Sequence, residues 1–109
     1  MRLGSLDIAE GNWQAARDRF KEALDTSQRL AEMYPDVTNF QVNLSAAYDG
    51  FANLDIAEGN RQAARNGFQK MLEICLRLAK EHSDVPDLQQ NLSAVYERLA
   101  NLDVAEGNR

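Results

Sequence analysis

The stretch Leu6–Asn12 reads LDIAEGN, is spelled again without change at Leu54–Asn60, and comes back as LDVAEGN at Leu102–Asn108, so the chain repeats itself every 48 residues. The register extends well beyond that phrase. Gln14-Ala15-Ala16-Arg17 recurs as Gln62-Ala63-Ala64-Arg65, Phe20 as Phe68, Leu24 as Leu72, and Arg29-Leu30-Ala31 as Arg77-Leu78-Ala79. Asn43-Leu44-Ser45-Ala46 with Tyr48 becomes Asn91-Leu92-Ser93-Ala94 with Tyr96. Self-similarity at a fixed period of this size marks architectures in which one supersecondary unit is stacked on copies of itself, because a single unit cannot bury its own apolar face.

The unit is helical. Phe40, Leu44, Ala47, Tyr48, Phe51 and Leu54 recur at steps of three and four, which places them on one face of a helix over about 39–58, here called type A. Ala64, Phe68, Met71, Leu72, Cys75, Leu78 and Ala79 do the same over about 61–82, as do Trp13, Ala16, Phe20, Ala23, Leu24, Ser27, Leu30 and Tyr34 one period earlier; these are type B. Between A and B stands Gly59-Asn60, a glycine able to take the left-handed conformation that ends a helix and an asparagine able to cap the next one. The return connection is YPDVTN in one copy and HSDVPD in the other. There Pro35 discourages continuation of B, and Thr38 with Gln41 has the spacing of a capping box.

Composition narrows the function classes. At 109 residues with 44% hydrophobic and 27% charged side chains, 1–109 is expected to form one domain with a modest core. A net charge of -5 opposes phosphate binding, so neither nucleic acid nor an anionic membrane is an expected partner. No apolar run approaches the roughly 20 residues that span a bilayer, and MRLGSLDIAEGNW lacks a secretory apolar core, so a cytoplasmic location is expected. With one cysteine, Cys75, and one histidine, His82, no internal disulfide or zinc-type cluster is expected, and no cofactor. Cys75 falls on the apolar stripe with Met71 and Leu78 and reads as packing, while His82 ends helix B, where a cation meets the helix dipole favourably. Asn43-Leu44-Ser45 and its copy match the glycosylation pattern by accident inside helices. Trp13 opens a B helix on its buried register, and Arg61 replaces it one period later. Nothing assembles a nucleophile, a general base or a glycine-rich phosphate loop, so a catalytic role is not expected.

These residues resemble the tetratricopeptide repeat, a helix-turn-helix unit of about 34 residues with the pattern W-x2-L-G-x2-Y, then A-x3-F, then P. Leu3-Gly4 matches the L-G, Ala16 and Phe20 the A-x3-F, and Ala23 and Pro35 follow; the second copy offers Tyr48 for the tryptophan, Phe51-Ala52, and Ala64 with Phe68. The resemblance covers nearly the whole chain. The proline lies 15 residues beyond Phe20, where the family places it about 8 beyond, so helix B is about one heptad longer, and a second heptad extends helix A. Seven residues are nearly two turns, so each buried face stays in phase. The chain is similar to lengthened, long-repeat bacterial members. The implied fold is all-α: five antiparallel helices, the first short, in helical hairpins stacked as a short α-solenoid of two and a half units, with Phe20 and Phe68 central.

The resemblance also implies a non-catalytic interaction module whose A helices line a concave groove for an extended peptide or a partner helix. The matching positions are Ser5, Ile8 and Ala9; Asp49, Asn53, Ile56 and Ala57; and Glu97, Asn101, Val104 and Ala105. Asn53 and Asn101 stand one period apart, as amides contacting a peptide backbone would. Asp49 and Glu97 occupy positions where chaperone-binding members carry lysine, which points to a neutral or basic ligand. Asp7, Asp55 and Asp103 depart from the family's last aromatic. Asp55 and Arg65 lie five residues either side of Asn60, so either they form a salt bridge across the hairpin, as Asp7 and Arg17 would, or the aspartate is simply solvated. Leu30 and Tyr34 at one end, and Tyr96 and Leu99 at the other, are expected to lie uncovered. This leaves self-association, or membership of a longer array, as the second reading.

Overall fold

The computed structural model describes residues 13–107, and all four regular elements among them are α-helices: α1 (Trp13–Met33), α2 (Thr38–Ala57), α3 (Arg61–Glu81) and α4 (Pro86–Ala105). Each lies within a residue or so of its predicted bounds. The short first helix expected over the opening residues lies outside the described ones.

The A-to-B turn is built by Gly59 and Asn60 as their chemistry dictates. Gly59 takes φ +82°, its N–H bonds the Ile56 carbonyl at 2.9 Å, and the Asn60 N–H reaches back to the Asp55 carbonyl at 2.7 Å. Two carbonyls orphaned at the end of α2 are thereby satisfied in the pattern of a Schellman motif. The Asn60 side chain then accepts the Ala63 N–H at 3.3 Å, so one residue closes α2 and caps α3. Gly107 repeats the turn with φ +76° and an N–H bonded to the Val104 carbonyl at 3.0 Å.

The B-to-A connection departs from expectation. The capping box of Thr38 and Gln41 does not form: Val37 is the N-cap and no side chain bonds there. Thr38 Oγ1 instead sits 3.4 Å from His82 Nε2. Gln41 is buried, donating from Nε2 to the Ala31 carbonyl at 3.2 Å and accepting from Arg77 Nη2 at 2.7 Å. The physical reason is competition between helix ends. The carbonyls in the last turn of α1 need donors as much as the first N–H groups of α2 do, and a buried amide answers that need from across the joint.

Successive helices are antiparallel neighbours. Gly67 lies against Ala52 in the pairing of α3 with α2, Arg17 meets Asp55 in that of α1 with α2, and Arg65 meets Asp103 in that of α3 with α4. One core cluster gathers Ala52, Ala64, Phe68, Met71, Cys75, Val95 and Leu102; a second gathers Ala31, Leu44, Ile74, Leu78 and Leu88; Tyr48 packs against both. Phe68 is fully enclosed, as its stripe predicts. Phe20 is only partly buried, which corrects the expectation that the two rings are equivalent. Phe68 is clasped by residues of both α2 and α4, whereas Phe20 rests over Gly50 of α2, where an added Cβ would stand 2.9 Å from the ring.

Cys75 is buried in the first cluster. Desolvation pushes its thiol pKa up, and a hydrogen bond with Ser45 only partly opposes this. Because folding raises the value, the associated stabilisation is complete below the ordinary thiol pKa and is lost as the pH rises through the folded one, on the alkaline side. We expect thiol-specific reagents to modify the native protein at least ~100-fold more slowly than the urea-unfolded chain. Comparable rates in a stopped-flow alkylation series would show that this part of the core opens freely.

Candidate protein-binding cleft

The ion pairs that join the helices determine what surface is left for a partner. Arg17 on α1 donates from Nη2 to Asp55 Oδ1 on α2 at 2.9 Å and also to Glu58, with its guanidinium 4.9 Å from the centre of the Phe51 ring. One period later Arg65 on α3 donates to Asp103 on α4 at 2.9 Å and also to Glu106. Neither alternative for Asp55 holds: it is not bridged to Arg65 and it is not solvated, and each of the two residues has a partner on its other neighbouring helix. Asp55 is buried toward α1, while Arg65 is turned toward α4, so the pairs tie one hairpin to the next instead of closing either. Asp7, the proposed partner of Arg17, lies outside the described residues. The carboxylate hydrogen bonds raise both guanidinium pKa values, Asp55 contributing most at Arg17 and Glu106 most at Arg65.

A third bridge links the two type A helices directly. Arg98 on α4 grips Asp49 on α2 through Nε and, at 3.1 Å, through Nη2 to Oδ2. This is a forked, charge-assisted contact of the kind that fixes geometry. Asn53 Nδ2 donates to the same carboxylate at 3.4 Å. Beside this bridge, between α2 and α4 and floored by α3, lies a cleft of about 570 Å³. Asn53, Ile56, Asn101 and Ala105, four of the positions singled out in the sequence, line it together with Phe68 and Leu102 at its apolar base and Arg61 and Arg98 at its edges.

No family model, curated protein or solved structure matches the chain. The case for a site accordingly rests on the cleft itself.

The remaining candidates are placed less favourably. Val104 is 76% exposed and Glu97 is exposed, and neither lines the cleft; Ala57 is exposed outside it. Asp49 is consumed by Arg98 and so is not a free carboxylate. Ser5, Ile8 and Ala9 lie outside the described residues. Sequence reasoning missed Arg98 and Arg61. The signal for Arg98 was a break in the period, since arginine stands where the preceding copy has Gly50. A second depression, of about 470 Å³ near Pro35 and His82, is walled by Gln41 and Arg77, which already satisfy each other. Among the described residues no three His, Cys, Asp or Glu side chains converge to hold a metal ion, and no helix is long and apolar enough to cross a membrane.

Proposed function

We propose that the protein is a non-catalytic protein-interaction module, built of lengthened tetratricopeptide-like units, that holds an extended peptide or partner helix in the cleft between α2 and α4. The observation that carries this reading is the convergence of Asn53 and Asn101, one period apart in sequence, on the same apolar-floored cleft with Ile56. An amide both donates and accepts, so two of them one period apart suit the alternating N–H and C=O groups of a peptide backbone. Ile56 and Ala105, both exposed in the cleft, offer apolar surface for a side chain of the ligand.

The lining favours the neutral side of the sequence expectation. Asp49 is neutralised by Arg98, Glu97 stands outside, and the cleft edge carries Arg61. A peptide presenting uncharged apolar side chains matches this better than a basic one.

Peptides selected from a random displayed library on the full chain test the reading. The pair Asn53→Ala with Asn101→Ala removes two hydrogen bonds of about 0.5–1.5 kcal/mol each, so affinity is expected to fall by roughly 5- to 100-fold while the helical circular dichroism is unchanged. Selected peptides that bind the double variant as tightly as the parent would remove the cleft from consideration.

A further inference from the structure

The charge of the cleft is opposite to that of the chain. Among the described residues that line it are two arginines, Arg61 and Arg98, and no carboxylate, in a protein with 17 Asp and Glu against 12 Lys and Arg. The repeat itself does not supply this charge. One period before Arg61 stands Trp13, and one period before Arg98 stands Gly50, whereas every other lining residue is uncharged and so is its counterpart. Both departures bring a positive charge to the same cleft.

The two arginines are not equally available. Arg98 commits Nε and Nη2 to Asp49. The acidic residues at the ends of α2 and α4 are held by other arginines, Asp55 and Glu58 by Arg17, and Asp103 and Glu106 by Arg65. Arg61 forms no ion pair with a described residue and is exposed at the start of α3, just past the Gly59 turn. The edge of the cleft thus carries one free guanidinium beside the exposed apolar surface of Ile56 and Ala105. A guanidinium fork matches a carboxylate in paired N–H···O bonds. Nor does stacking account for this charge. Solenoid units meet along their outer helices, and the cleft lies between two helices already joined through α3 and by the bridge from Arg98 to Asp49.

Building on the peptide-binding reading of the cleft, we infer that its ligand is an acidic peptide, with an Asp or Glu side chain on Arg61 and an apolar side chain over Ile56 and Ala105. The carboxylate belongs to a side chain of the ligand and not to its C-terminus. A terminal carboxylate falls in line with the backbone, over Asn53 and Asn101, whereas the charge free to meet it stands at the edge, within reach of a side chain.

Peptides selected on the full chain from a random displayed library, then synthesised with a fluorescent label and with either a free or an amidated C-terminus, are the probe, titrated by anisotropy. They should share an Asp or Glu at a fixed spacing from an apolar residue. Replacing that residue by Asn or Gln should weaken binding about three- to tenfold. Arg61→Gln in the protein should weaken it by the same factor, and the two changes together by no more than either alone. Arg61 is exposed, so the variant keeps the helical circular dichroism of the parent. Peptides that require Asn53 and Asn101 but carry no acidic position, or that bind Arg61→Gln as tightly as the parent, would overturn this inference and leave the peptide cleft standing. Tighter binding of the free-terminus form, lost with Arg61→Gln, would overturn it by giving the charge to the ligand's end. A library that yields no binder, or binders indifferent to the Asn53 and Asn101 pair, would remove the peptide cleft and the acidic anchor together.

Discussion

Replacing Phe68 by alanine is expected to remove about 3 to 5 kcal/mol of stability, against about 1 to 3 kcal/mol for the same change at Phe20. The two residues are one period apart and chemically identical, so the difference isolates their surroundings. Phe68 is wholly enclosed in the cluster that joins α2, α3 and α4, and its removal opens a cavity that three helices would have to collapse to fill. Phe20 keeps part of its surface in solvent, so less transfer free energy is forfeited and the gap is shallower. Against a typical stability of about 5 to 15 kcal/mol, the first change takes a large share. Urea unfolding of both variants checks this, provided the slope of the transition is conserved. Equal losses would mean that the two aromatic positions are energetically interchangeable and that burial has misjudged them.

Arg17→Ala is the second large effect, at about 2 to 3 kcal/mol. Breaking a fully buried ion pair costs about 3 to 5 kcal/mol because a charge is left without a partner, and here only one member is deeply buried. The Asp55 side chain is 5% exposed and the Arg17 side chain 30%. Losing the guanidinium strands the Asp55 carboxylate, releases Glu58 and strips the cover from the Phe51 ring. Asp55→Asn combined with Arg17→Ala should recover part of the loss. A double-mutant cycle on this pair should show clear coupling, whereas the cycle on Asp55 and Arg65 should be additive within about 0.5 kcal/mol. Arg65→Ala should cost less than Arg17→Ala, because Asp103 is open to water. Coupling in the Asp55 and Arg65 cycle would restore the bridge within the hairpin and contradict the contacts described here.

The helices were legible in the sequence because their signals are local. The stripe from Ala64 to Ala79, the glycine at 59 and the proline at 35 each act within a turn or two of themselves, and the structure follows them closely. What failed to be legible depended on which neighbour a side chain turns to. Asp55 sits five residues from the turn centre, and so does Arg65, yet an antiparallel hairpin has two sides, and sequence separation does not say which side a residue occupies. Gln41 misled for a similar reason: its spacing from Thr38 suits a local cap, but a stronger demand came from the Ala31 carbonyl across the joint. Within the cleft, Asn53, Ile56 and Asn101 were recoverable from the family-like register, whereas Arg98 was visible only as a departure from the period.

That departure makes the two joints respond differently to ionic strength. At the first, between α1 and α2, the ring of Phe20 seats over Gly50, an apolar contact that added salt leaves intact or strengthens, and the charged tie there, Arg17 to Asp55, ends on a buried carboxylate that salt screens less. At the second, Arg98 occupies the position of Gly50 and ties α4 to Asp49 of α2 by charge. Arg65 adds another charged tie, from α3 to the half-exposed side chain of Asp103. Screening acts on the second joint far more than on the first. In concentrated salt α4 is therefore expected to loosen ahead of the rest, read as faster amide exchange in α4 than in α2 and α3 as salt is added. The breadth of the cleft is in this sense set by the solution as well as by the chain.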